Sequence, residues 1–493
     1  MHLTRMNIDL SQPVPRVRTL EEAQALIDAL WALAQTQARR IEEQSRQIEQ
    51  QARQIDALNQ RVAALDERLR TNSRNSSASP STDPHRPPSK KPSTGKKRGA
   101  QPGHPGKART LLPPDQVTHA HDCRPGACPA CGGAVRITGL CSRHQIIDLP
   151  SMAAAVTEYR LFAGRCRCCG RVCEASLPPG VSSRVTGPRL LATIGALTGA
   201  YHLSKRQAQG LLADLFGIDL SVGAISEGEA EIGEALGGIV AHAHAHVQTA
   251  PVVHADETGH KERGARHWLW LVATQYVAVF LAAATRSAQA ARAALGEGFA
   301  GILVSDRYAA YAWVEAQRRQ LCWAHLLRDF TKMAERSGAS RRIGDEMLVC
   351  ARRMFACWHR VRDGTLSRKV FGYEMPFLRH RIETLLQEGA DCRHPHTART
   401  CRHILKQRHA LWTFLDTPGV EPTNNHAERT LRGFVIWRKI SFGTQSARGS
   451  CYVERIMTVT GTCKLQGRNI IDFLTQAIQA HWGHGKAPSL VPA

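Results

Sequence analysis

Every seventh residue from Ile27 to Leu69 is apolar: Ile27, Ala34, Ile41, Ile48, Ile55, Val62 and Leu69. A second line, three residues further on, reads Leu30, Gln37, Gln44, Gln51, Leu58 and Leu65. These are the a and d positions of a coiled coil. Thr19-Leu20-Glu21-Glu22 supplies a capping box to open the helix. At ~1.5 Å per residue the helix would be about 75 Å long, too long to be stable without a partner. The pattern therefore predicts self-association, and β-branched residues at a favour two strands. The glutamines along d weaken the seam and can fix its register. The alternative is a solvated helix packing on its own chain.

The pattern stops at residues 71–110, where Ser, Pro, Gly and Lys dominate. Such a stretch cannot bury enough surface to offset its ordering entropy. It reads as a solvated linker, as a basic arm along phosphates through Lys90, Lys91, Lys96, Lys97 and Arg98, or as both. Charge on the whole chain agrees with the second reading. Lys and Arg number 65 against 42 Asp and Glu, a net +23 over 493 residues. A polyanionic partner, most often nucleic acid, is expected. A ribosome-like or membrane-surface protein is the plainer alternative. With 43% hydrophobic residues the chain can build about two to four domains. No stretch reads as a signal peptide or as ~18 consecutive apolar residues, so a cytoplasmic protein with no membrane partner is expected.

In that compartment the 15 cysteines stay reduced, and clusters point to metal. Cys128-Pro-Ala-Cys131-Gly and Cys166-Arg-Cys-Cys169-Gly are two C-x-x-C knuckles. Four thiolates, Cys128, Cys131, Cys166 and Cys169, would close a structural Zn2+ site, with a short β segment carrying each knuckle. Cys123, Cys168 and Cys173 read as bystanders. Next come two helices, 204–217 from a Ser204 cap to Gly217 and 221–233 from Ser221. They suit a helix-turn-helix, although many helical hairpins bind nothing.

From residue 250 the apolar runs shorten. "APVVHADETG" (250–259), "RHWLWLVAT", "YVAVFLAAA", "GILVSDRYAAY" (301–311) and "RRQLCWAH" (318–325) read as strands, with a helix over 287–299. The order β-β-β-α-β-(α)-β is that of an RNase H-like sheet covered by helices. Residues 326–420 read as a helical insertion. The expected organisation is multidomain α+β: coiled coil 1–70, linker 71–110, zinc ribbon 111–180, helical DNA-binding module 181–245, and an RNase H-like catalytic domain 246–493 with its insertion at about 330–420.

Asp256 and Asp306 each end a predicted buried strand, where an unpaired carboxylate is costly unless it does something. The plain alternative for each is a turn or cap residue. With a third acid they would form a hard-oxygen site for two Mg2+ or Mn2+ ions. Glu257 should point to the opposite face, and Glu335, Asp329, Asp345 and Glu346 read as surface residues. Glu428 is the one acid in a basic stretch that also holds Arg429, Arg432, Arg438 and Lys439. Asn424 or Asn425 would cap its helix and put Glu428 in the first turn.

The runs "HADETG", "TRSAQAA", "ILVSDRYAAY", "CWAHLLRDF", "NNHAERTLRGFVIWRKISFGTQSARG" and "CKLQGRNIIDFL" resemble the transposases of the insertion-sequence 66 family over nearly the whole chain. The resemblance implies a bacterial DDE transposase with an RNase H-like core. It also implies a metal-binding triad at Asp256, Asp306 and Glu428. Cys322 and His325 look like the C-x-x-H element that follows the second Asp in several DDE groups. That element would steady the core or position DNA; a buried Cys and a satisfied core His is the alternative. A zinc ion there is not expected, because two further ligands at sensible spacing are missing. The reaction implied is cleavage at terminal inverted repeats and joining of the 3′-hydroxyl ends to target DNA. The expected partners are those DNAs, a second copy of the chain, and two small accessory proteins that such elements usually encode. A non-catalytic zinc-containing regulator and a nuclease without strand transfer are the rival readings.

Overall fold

A computed structural model describes residues 16–72, 75–76, 110–150, 152–179, 181 and 183–492. The chain divides into two units, residues 1–85 and residues 86–493. Lys90, Lys91, Lys96, Lys97 and Arg98 lie outside the described residues.

In the first unit, α1 (Leu20–Leu69) is unbroken. Thr19 Oγ1 accepts the N–H of Glu22 at 3.2 Å, and the Glu22 carboxylate reaches back to the N–H of Arg18 at 2.8 Å. Arg46 with Glu42 and Arg70 with Asp66 pair along the helix four residues apart, which supports it by a few tenths of a kcal/mol each, roughly. Its a line is open: Ile41, Ile48, Ile55 and Val62 are each more than half exposed.

The second unit begins with a long extended stretch that holds the β1 (Ala163–Arg165) and β2 (Val172–Glu174) hairpin. None of its described residues over 110–179 is buried. Helices follow: α2 (Pro188–Gly195), α3 (Lys205–Phe216) and α4 (Val222–Gln248). Ser204 and Gln207 form a full capping box at α3, and Gly217 ends it in the left-handed region at φ 65°. The helix expected over 221–233 runs on to Gln248, since Leu236, Ile239, Ala243 and Val247 continue its buried face.

A five-stranded sheet comes next, built from β3 (Val252–Glu262), β4 (Ala265–Ala273), β5 (Ala278–Ala283), β6 (Ile302–Ser305) and β7 (Arg319–Leu321), with α5 (Ala288–Leu295) crossing between β5 and β6. The order is β5-β4-β3-β6-β7. β3, β4 and β5 are antiparallel neighbours, whereas β6 and β7 run parallel to β3. Two strand ends differ from the sequence reading. β3 continues past Asp256 because β4 pairs with it as far as Glu262. β6 stops at Ser305, because the Asp306 carboxylate takes the N–H of Tyr308 at 2.9 Å and turns the chain.

Helices α6 (Trp323–Ala334), α7 (Gly338–Arg362), α8 (Arg368–Ala390), α9 (Pro395–Leu405) and α10 (Thr413–Asp416) form the expected helical stretch. Their core, with Trp323, Phe330, Met347, Phe371, Trp412 and Phe414, also takes Val304 and Leu321 from the sheet. The other core joins α2–α5, β3–β6 and the closing helices α11 (Asn425–Ser441), α12 (Ala447–Gln466) and α13 (Ile470–His481). Alternate residues of β6 serve both: Leu303 enters one core and Val304 the other. Residues 188–248 thus share a core with the sheet rather than closing one of their own. Among the described residues no helix is long and apolar enough to cross a membrane.

Candidate active site

The three acids sit on three elements. Asp256 lies on β3 two residues beyond the last pair with β6, His254–Val304. Asp306 follows the end of β6 directly. Glu428 lies in the first turn of α11. They are close enough to repel: burial first, then the charges of Glu257, Asp306 and Glu428, raise the Asp256 carboxyl well above the usual carboxylate range.

What brings Glu428 there is Asn424, a residue the sequence reading treated only as a cap. Its side chain caps nothing. Instead its amide nitrogen donates to the Ala255 carbonyl at 2.8 Å and its oxygen meets His254 Nδ1 at 3.1 Å. Its backbone N–H donates to Cys322 Sγ at 3.1 Å. One 2%-exposed residue therefore ties the start of α11 to β3 and to the start of α6. Its neighbour His426 meets the Thr274 carbonyl at 2.8 Å and lies 5.1 Å, ring to ring, from His254. Burial depresses His254 to about 4, so it stays neutral beside the amide.

Cys322 precedes α6 as its N-cap, and His325 lies one turn along the same face. Burial pushes the Cys322 thiol up to about 11. His325 Nδ1 faces Glu428 Oε1 at 3.7 Å, and burial lowers its affinity for a proton. Together with Glu428 these residues form the one group of three or more such side chains whose ligating atoms all lie within 4.8 Å of one another, among the described residues.

Glu257 does point elsewhere. It accepts Arg286 Nε at 2.8 Å and the Tyr311 hydroxyl at 2.5 Å, with Arg286 stacked 3.7 Å over the Tyr308 ring. This is a buried brace under Asp256. Behind Asp306, Arg319 donates to the Ser305 hydroxyl at 3.2 Å and to the Asp306 carbonyl at 2.9 Å. Asp329 is not a free surface acid: it pairs with Arg307.

Of the basic residues on α11, Arg429, Arg432 and Lys439 are exposed. Arg438 has a partner within the chain. It donates to the Gly259 carbonyl and is half-buried, so it braces β3. Beyond it, Gly443 turns at φ 109°, and a Cβ there would meet the Lys261 carbonyl at 2.4 Å. That approach lets Thr444 N–H donate to Lys261 and pins the "SFGT" loop to the end of β3.

The family model of the Transposase IS66 family matches residues 184–451, more than half of the chain. The chain belongs to that family. The matched segment holds the whole sheet, all three acids and Asn424. A family of unknown function matches residues 12–110. An uncharacterized protein, y4qI of Sinorhizobium fredii, is 27% identical over 215 residues, which is 40% of this chain and 39% of that one. The chain thus spans about two fifths of that relative's length.

The knuckles of this IS66-family chain lie outside the matched segment. Each is a tight turn: Gly132 N–H donates to Cys128 O at 2.8 Å, and Gly170 N–H to Cys166 O at 2.9 Å. Backbone N–H groups of Ala130 and Cys131, then the Cys131 thiol, hold Cys128 below the usual thiol range. The N–H groups of Cys169 and Cys168 do the same for Cys166. Both turns suit a thiolate-bound metal. Only the second sits on strands, and the four thiols do not form one cluster of ligating distance.

Proposed function

We propose that the protein is a DDE transposase with an RNase H-like catalytic core. The observation that carries this is that Asn424 fastens the start of the helix bearing Glu428 to Ala255, next to Asp256 on β3, while Asp306 follows the end of β6, the parallel neighbour of β3. The sheet order and the family membership support it.

The donor set fits hard divalent cations. A buried Asp256 carboxyl whose proton affinity is raised by burial and by the charges of neighbouring acids calls for positive charge beside it. Two Mg2+ or Mn2+ ions held by Asp256, Asp306 and Glu428 would activate the attacking oxygen and stabilise the leaving one. The residues of the chain do the rest. Asn424 fixes Glu428 against β3. Glu257, Arg286 and Tyr311 keep β3 rigid beneath Asp256. Arg429 and Arg432, exposed on the helix that carries Glu428, hold phosphates. In the first step a water oxygen attacks phosphorus at the element end and the P–O bond opposite breaks, freeing a 3′-hydroxyl. In the second that hydroxyl attacks target DNA in the same way.

Cys128, Cys131, Cys166 and Cys169 would hold a structural Zn2+, and the open a/d line of α1 would pair two protomers so that two ends are held together. The basic arm, ribbon and helical module would bind element ends, and the element's small accessory proteins are further candidate partners. The test is an assay with supercoiled donor carrying the element ends, Mg2+ and a radiolabelled 3′ end. Cleavage followed by joined product supports the reading. Cleavage without joining makes the protein a nuclease, and a DNA shift without cleavage makes it a regulator.

A further inference from the structure

The sequence offered two metal ligands in "CWAH", Cys322 and His325, and no others nearby. The structure adds one from about a hundred residues further along, Glu428. We infer that Cys322 Sγ, a ring nitrogen of His325 and Glu428 Oε1 bind one transition-metal ion of the zinc class, distinct from the hard-cation site on the aspartate side. The sharing of Glu428 between the two sites rests on the proposed triad; the existence of this site does not.

Two buried atoms face each other. His325 Nδ1 and Glu428 Oε1 are 3.7 Å apart, too far for a hydrogen bond, and neither has another partner. Leaving a buried polar atom unsatisfied costs about 1–3 kcal/mol. A cation between them satisfies both. The separation also fits: ligand bonds of ~2.0–2.3 Å in tetrahedral geometry place neighbouring ligand atoms about 3.5 Å apart.

The donor types choose the metal. One thiol, one imidazole and one carboxylate suit zinc and its neighbours and are poor company for Mg2+, which takes oxygen. The scaffold is rigid. Cys322 and His325 are three residues apart at the start of α6, so both point to one side. Asn424 N–H donates to Cys322 Sγ, an outer contact that favours a thiolate, and the Asn424 side chain is itself fixed on β3. Binding displaces the thiol proton to solvent. His325 and Glu428 side chains remain 19% and 32% exposed, so a fourth position is open to water. Glu428 Oε1 is then committed to this ion and Oε2 is left for the aspartates. The C-x-x-H element thereby sets the orientation of the third acid.

The test uses the full chain titrated with Co2+, read by thiolate-to-cobalt charge-transfer absorption and by metal count per chain. The wild type should bind one Co2+ more than Cys322→Ser. In a chain with Cys128, Cys131, Cys166 and Cys169 all changed to Ser, one cobalt band should persist and vanish on adding Cys322→Ser. His325→Gln and Glu428→Gln should each weaken that site by more than about 10-fold with an unchanged circular dichroism spectrum. Equal cobalt counts in wild type and Cys322→Ser, or an undiminished site in either His325→Gln or Glu428→Gln, would overturn the inference. The two readings separate cleanly. If Glu428→Gln abolishes DNA cleavage and leaves cobalt binding intact, the triad stands and this site falls. If it abolishes cobalt binding and leaves cleavage intact, this site stands and the triad falls.

Discussion

Residues 110–179 and residues 188–490 hold their shape by different means. The later stretch closes two hydrophobic cores on a shared sheet, with Trp270, Trp323 and Trp412 each about 1% exposed or less. The earlier one buries no described residue and leaves Ile146, Leu149, Val156 and Phe162 open to solvent. Its regular structure among the described residues is limited to turns around cysteines, one short hairpin and one 3-10 turn at Pro114–Gln116. The difference fits the proposed role of the cysteines. A segment without a core needs another source of folding free energy, and a bound metal is a common one.

The largest effect is expected at the acids of the later stretch. Asp256→Asn, Asp306→Asn and Glu428→Gln should each cut the rate of strand cleavage by roughly a thousandfold or more while binding to element ends persists. Full activity in any one removes that residue from the triad. Trp412→Ala should destabilise the later stretch by about 3–5 kcal/mol in calorimetry, since the ring is buried among Trp323 and Phe414. Cys128→Ser with Cys131→Ser should lose zinc by metal analysis and leave that calorimetric transition where it was. A shared drop would mean that the two stretches fold as one. Removing residues 20–70 should lower the oligomer size in light scattering, and an unchanged size would take self-association away from α1.

The smallest effect is on the metal-free protein. A raised Asp256 pKa means that the folded state holds its proton more tightly than the unfolded one. Stability from this group is therefore present at low pH and is lost as pH rises above the ordinary aspartate value of about 3.9 towards the raised one. At neutral pH with chelator, Asp256→Asn should melt about 2 °C or more above wild type, and excess Mg2+ should narrow the gap by stabilising wild type. A lower melting point for the variant in chelator would contradict the crowding of carboxylates.

Much of this was legible in the sequence. Short apolar runs marked all five strands, and capping residues such as Ser204 and Ser221 marked helix starts, because these depend on neighbours in the chain. What was hidden depended on pairing. Asp256 read as a strand tip, yet β4 carries β3 six residues further. Arg438 read as a phosphate contact by its charge, and the approach of β3 gives it a carbonyl partner that the sequence did not announce. Asn424 had the residue type of a cap, and only the fold shows its amide turned onto β3. The third ligand beside Cys322 and His325 was out of reach for the same reason, since no local spacing joins residue 325 to residue 428.

Asn424 also has a consequence in the order of synthesis. Both aspartates, the whole sheet and the helical insertion are translated before it. A chain that ends before residue 424 has those parts but lacks Glu428 and the amide that would fasten it to β3. The proposed acid site is therefore among the last features the growing protein can complete, and a prematurely stopped product carries only two of the three carboxylates proposed for it.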